Sequence, residues 1–188
     1  MKQLINNFGI DETRFTLLPR YFNNQSFVHG INHTYRVMYH CLELGEVLQC
    51  RKAALLAFMG AFIHDMARRH DGYCTGHGSW AVTKKMPVFR ELFLTSGASE
   101  EDLKRIAIAV YQHSLPEDLP ANDPSWLVSS LLKDADALDR IRLGENNLMP
   151  EFLRFRESLT MIESSKKLYY KCPVEPLSSF GELIAFAG

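Results

Sequence analysis

Little in this chain supports a disulfide framework, a phosphate-binding glycine loop or a membrane anchor. Its 188 residues include four cysteines, Cys41, Cys50, Cys74 and Cys172, and none stands in a CxxC pair. Two of them fall inside segments of helical periodicity, so they read as reduced thiols, and the lack of cysteine pairs argues against a zinc-finger type of site. No Walker or dinucleotide glycine pattern occurs, and Gly78-Ser79-Trp80 does not make a nucleophile elbow. Nothing beside Cys74 in the sequence would activate it as a thiolate. Serine or cysteine nucleophilic catalysis therefore has no support. The longest apolar run, Ala53 to Ile63, is well short of the roughly 20 residues a bilayer requires. The segment Met1-Lys2-Gln3-Leu4-Ile5-Asn6-Asn7 lacks the apolar core of a signal peptide. A formal net charge of −1 supplies no overall field to draw in nucleic acid or acidic lipid. The cytoplasm is the expected compartment, and neither a membrane nor a nucleic acid is an expected partner.

What the chain does have is helical patterning. Hydrophobic residues at 46% and charged residues at 23% suit a globular protein, and the length suits one domain with its own core. Val37, Cys41, Leu44 and Leu48 share one stripe of a helix from His33 to about Cys50. The next helix, about Lys52 to Ala67, is apolar on nearly every face until His64, which predicts a central buried position. Arg68 to Gly78 reads as a loop, followed by short helices over about His77 to Lys85 and Pro87 to Gly97, the second with proline in its first turn. Ser99-Glu100-Glu101-Asp102 has the form of an N-cap with an acidic first turn and opens a helix through about His113. The prolines at 116, 120 and 124 mark a connection. Further helices are expected from Ser125 to about Arg140 and from Pro150 to about Lys167, before a tail beyond Cys172 that is loop-like with a short apolar end. No strand pair or internal repeat is evident. The predicted class is all-α.

The informative residues are polar ones on the apolar faces of those helices. His33 precedes Val37 by four residues, and His64 follows Leu56 and Gly60 at spacings of four. His113 follows Ile106 and Val110, and Asp136 follows Val128 and Leu132. A lone inward histidine is ordinarily a hydrogen-bonded core residue. Inward imidazoles and carboxylates on four separate helices need a common partner, because burying them unpaired is costly. A divalent metal ion meets that need. Neutral imidazole nitrogen and carboxylate oxygen suit Mn, Fe, Co, Ni or Zn. One ion would be held by His33, His64, Asp65 and Asp136; a second would use His77 and His113 and share Asp65 as a bridge.

The order of these residues resembles the HD-domain superfamily of metal-dependent phosphohydrolases. Gly30-Ile31-Asn32-His33-Thr34-Tyr35-Arg36-Val37 is similar to the family's opening His helix. Ala61-Phe62-Ile63-His64-Asp65 is similar to its namesake motif, and Lys133-Asp134-Ala135-Asp136-Ala137-Leu138-Asp139 to its closing motif. Within the last, the resemblance selects Asp136 as the ligand over Asp134 and Asp139. It implies a helical bundle of the HD type over 1–188, with the metal-site core at about 29–143 and a C-terminal helix and tail at 144–188. It also implies one or two divalent ions (Mn, Fe, Co, Ni, Zn or Mg), His77 and His113 resembling the extra histidines of the binuclear branch.

The implied reaction is hydrolysis of a small phosphorylated molecule, such as a nucleotide, by metal-activated water. Arg36, Arg68, Arg69 and Lys133 are candidates for neutralising phosphoryl charge, against a plain reading as salt-bridge residues. Asp71 either orients water or accepts a proton, or else serves the turn Asp71-Gly72. His29 either touches substrate or helps start its helix, while His40 and His70 are expected to face solvent or to stand behind ligands. The Gly-Tyr-Pro motif of the cyclic-dinucleotide phosphodiesterase branch is absent. Two other functions share the pattern: a di-iron oxygenase cleaving a C–C or C–P bond, since myo-inositol oxygenase resembles the same ligand order, and a binding module that keeps its metal for structure.

Overall fold

A computed structural model describes residues 2–187, with side chains from residue 4. Met1, at the head of the segment read above for a signal peptide, lies outside the described residues. The helices are α1 (Lys2–Phe8), α2 (Ile31–Val47), α3 (Arg51–Ile63), α4 (His77–Lys84), α5 (Met86–Thr95), α6 (Glu100–Gln112), α7 (Trp126–Leu138), α8 (Arg156–Thr160), α9 (Ile162–Lys171) and α10 (Phe180–Phe186). Among the described residues there is no strand, and no helix is long and apolar enough to cross a membrane. The four cysteines are free, and burial pushes the Cys41 thiol well up from its ordinary value.

The centre of the fold is α3, as its near-continuous apolar sequence predicts. Every residue from Leu56 to Ile63 is buried, and α2, α6 and α7 enclose the helix. Large side chains fill the space around it. Phe58 and Phe62 meet Phe15 edge-on at centroid distances of 4.9 and 5.4 Å, and each ring buried in this way contributes about 1.5–3 kcal/mol. The N-cap at Ser99 forms as expected and is completed as a capping box: the Ser99 hydroxyl accepts from the Asp102 N–H while the Asp102 carboxylate accepts from the Ser99 N–H.

Three expectations need correction. The helix expected through Ala67 stops at Ile63, and the Met66 N–H turns back to the Ile63 carbonyl instead of continuing the helical ladder. His64 and Asp65 thus stand on a tight turn at the helix end rather than within a helix. The helix expected over Pro150 to Lys167 is broken into a 3-10 turn, α8 and α9. The cause is Asp134, whose buried carboxylate accepts the backbone N–H groups of Arg154 and Phe155 and holds that stretch out of helical register. The tail is not merely loop: Ser179 caps α10 through the Glu182 N–H, and Phe180 and Leu183 are buried against the rest.

Candidate metal centre

Each histidine of the cluster is turned by a bond behind it. His33 on α2 has Nδ1 2.7 Å from Asp139 Oδ2, and Asp139 is itself clasped by the Arg36 Nε and Nη2 groups. His64, at the end of α3, donates from Nδ1 to the Ala61 carbonyl at 2.6 Å. His77, the first residue of α4, does the same to Cys74 at 2.8 Å, and His113, just past α6, to Val110 at 2.5 Å. Carbonyl and carboxylate oxygens only accept, so Nδ1 carries the proton in all four rings and Nε2 presents a bare lone pair. Gly78 makes the second pair of rings possible. A Cβ there would fall 2.4 Å from the Val110 carbonyl oxygen, so only glycine lets α4 approach the end of α6 and bring His77 to His113.

The four lone pairs converge. Nε2 of His33 is 3.1 Å from Nε2 of His64, and Nε2 of His77 is 2.9 Å from Nε2 of His113. Asp65 lies between the pairs. Its Oδ2 is 3.4 and 3.6 Å from the nitrogens of His33 and His64, and its Oδ1 is 3.3 and 3.8 Å from those of His77 and His113. Asp136 Oδ1 approaches His33 Nε2 at 3.4 Å. Acceptors therefore face acceptors, and Asp65 Oδ1 is buried with no hydrogen-bond partner. Protons do not resolve the conflict near neutrality: burial lowers His64 to about 3 and, with the neighbouring His113, lowers His77 to about 4. Asp65 is held well below the carboxylate range, its burial outweighed by the surrounding imidazoles. Only a cation satisfies such a set. His33, His64 and Asp136 form one group able to hold a metal ion, and His64, Asp65 and His113 form another.

With that geometry in view, the family can be stated. The family profile described as HD domain matches residues 30–141, well over half the chain. The chain belongs to the HD-domain family. Neither the search of curated proteins nor that of solved structures returned a significant match. Membership places the chain in a superfamily of metal-dependent phosphohydrolases that bind divalent metal ions.

The other candidates separate into those at the cluster and those away from it. A pocket of about 310 Å³ opens over the cluster, lined by Asp65, His77, His113 and Asp136, and also by His29, Arg68 and Asp71. Arg68 is buried, donates from Nη2 to the Gly72 carbonyl, and sets Nη1 3.2 Å from both ring nitrogens of His77. Asp71 Oδ1 is 3.2 Å from His29 Nδ1, and the His29 ring stands edge-on to His33. Arg36 is not open to a substrate, being spent on Asp139. Lys133, read as a phosphoryl-neutralising candidate, instead donates to the Glu117 carbonyl and to Asp118 at 2.5 and 2.7 Å. Arg69 is exposed and stacked on Trp80 at 4.2 Å. Both depart from the expectation because nearness in sequence to a motif does not set the direction of a long side chain. His40, expected at the surface or behind a ligand, is fully buried beside Glu43, while His70 is exposed.

Sequence reasoning missed Asp139 as the brace of His33, and missed Arg140 and Arg142 on the pocket wall. Asp139 was weighed only as a rival ligand to Asp136, although the two are three apart and so share a helix face. The arginines follow the end of α7 in a 3-10 turn over Asp139–Leu143, where helical periodicity no longer predicts direction.

Proposed function

We propose that this protein is a metal-dependent phosphohydrolase acting on a small phosphate ester. Its two divalent ions would be held by His33, His64, Asp65 and Asp136, and by His77, His113 and Asp65. The observation that carries the reading is the pairing of four Nδ1-protonated histidines about the two oxygens of one buried carboxylate whose Oδ1 has no hydrogen-bond partner. When bound, such ions lower the pKa of water and polarise a phosphoryl oxygen. The chain's own residues do the rest. Asp139, clasped by Arg36, fixes the His33 ring; the backbone carbonyls behind His64, His77 and His113 fix the other three. Arg68 brings positive charge to the pocket beside His77, and Asp71 and His29 form a polar pair on its wall.

Arg68, Arg140 and Arg142 all line this pocket, which favours an anionic phosphoryl substrate over the di-iron oxygenase alternative. The whole of 1–188 is proposed to act as one domain around this site. The deciding experiment is metal quantification followed by a phosphate-release screen over nucleotides and sugar phosphates, with Mn or Co under anaerobic conditions. Phosphate release without oxygen is expected. An iron pair giving an O2-dependent product, and no phosphate release with any metal, would overturn the hydrolase reading.

A further inference from the structure

The arginines around α7 and the metal pocket fall into two kinds. Arg36 and Arg154 are fully engaged: Arg36 clasps both oxygens of Asp139, and Arg154 binds Asp118, Asp134 and the Phe152 carbonyl. Arg142 is not. Its side chain is only 5% exposed, and Nη2 lies 3.2 Å from Asp136 Oδ1. Its Nε and Nη1 are buried with no hydrogen-bond partner. A guanidinium has five N–H donors, and each one left buried and unpaired costs about 1–3 kcal/mol. Arg68 has the same defect: Nη2 is bonded to Gly72, whereas Nε is buried and partnerless. Both line the pocket over the metal cluster, Arg68 against His77 and Arg142 against Asp136, so they stand at the two ends of the ligand set. Spare donors at both ends, with no protein acceptor to take them, are the complement of a tetrahedral oxyanion.

We infer that Arg142 is a substrate-binding residue that, with Arg68, grips the terminal phosphoryl group of the ester. The inference rests on the hydrolase reading above and adds to it the residue that holds the anion at the Asp136 end. Arg142 sits on the 3-10 turn directly after α7, and Gly144, at φ +118°, lets the chain leave that turn. Arg142 is therefore continuous in the chain with the helix that carries Asp136. The pocket's 310 Å³ lies at the small end of the range for metabolite sites, which suits a phosphoryl group with a modest leaving group.

The test is a calorimetric titration of the Mn-loaded full chain with inorganic phosphate, alongside measured metal content. Arg142→Ala is expected to weaken phosphate binding by about tenfold or more while metal content stays at the wild-type level. Arg142→Lys keeps the stem and charge but not the fork, so it is expected to lose less, about three- to tenfold. It also carries the test alone if the alanine variant does not fold. Unchanged phosphate affinity in either folded variant overturns the inference. Loss of metal together with phosphate also overturns it, because Arg142 would then merely position Asp136. If no ester is hydrolysed but phosphate binding depends on Arg142, the hydrolase reading falls and the anion site stands. If esters are hydrolysed and phosphate ignores Arg142, the reverse holds.

Discussion

Helix α7 carries two buried polar clusters, built around Asp134 and Asp136, and they are satisfied in opposite ways. Asp134 is fully buried and saturated: it accepts from the backbone N–H groups of Arg154 and Phe155, from the Ser158 hydroxyl at 2.7 Å and from Arg154 Nη1 at 3.1 Å. Two residues further along, Asp136 takes one bond, from Arg142 Nη2 at 3.2 Å, and its neighbour Asp65 has an Oδ1 with no hydrogen bond, Arg68 Nη1 standing off at 3.6 Å; both carboxylates face bare imidazole nitrogens. Both clusters are charged and carried by the same helix. One is complete within the protein and the other is complete only with a cation. The contrast serves as an internal control: burial of charge alone does not mark a functional site, whereas burial without a donor does.

The largest expected effect comes from the unsaturated cluster. Asp65→Ala should abolish metal binding and lower activity by at least about a thousandfold, equivalent to about 4 kcal/mol in the barrier. Helical content should persist, because removing Asp65 orphans no donor that lacks another partner. Circular dichroism with metal analysis checks this, and loss of all helical signal would show instead that the ions hold the fold together. Asp134→Ala should do the opposite. It strips the acceptor from two backbone N–H groups, a hydroxyl and a guanidinium, at a cost of about 3–5 kcal/mol, with metal content per folded molecule unchanged. Chemical denaturation would expose the error if the loss were below about 1 kcal/mol.

How far the sequence foretells this contrast depends on whether a residue sits inside a regular helix. The stripes through His33, His113 and Asp136 predict inward polar groups because a 3.6-residue period fixes direction within α2, α6 and α7. The all-apolar face of α3 likewise predicts its central place. Prediction weakens where the backbone leaves the helix. The turn after Ile63 is met from far off by the Asn23 N–H, which donates to the Met66 carbonyl at 2.9 Å, Asp134 acts on the break at Arg154 across some twenty residues, and the 3-10 turn that carries Arg142 no longer follows the helical period. Lys133 shows a related effect. It immediately precedes Asp134 in sequence, but its long side chain reaches Asp118 rather than the pocket.

The two clusters should also separate under acid when the protein is stripped of metal with a chelator. Burial lowers His64 to about 3 and His77 to about 4, against 6.5 for the free side chain. Between those values the unfolded chain binds protons that the folded chain refuses, so stability is full above pH 6.5 and declines as the pH falls toward 4. At pH 5 the loss is roughly 2 kcal/mol per ring. The saturated cluster around Asp134 contains no histidine and contributes nothing in that window. Metal-free wild type should therefore unfold more easily at pH 5 than at pH 7. A His64→Gln, His77→Gln double variant should lose most of that difference while keeping the wild-type response to Asp134→Ala. A pH dependence that survives the double variant beyond the share of His29, which burial likewise lowers to about 4, would place its source outside the metal cluster and break the contrast between the two clusters of α7.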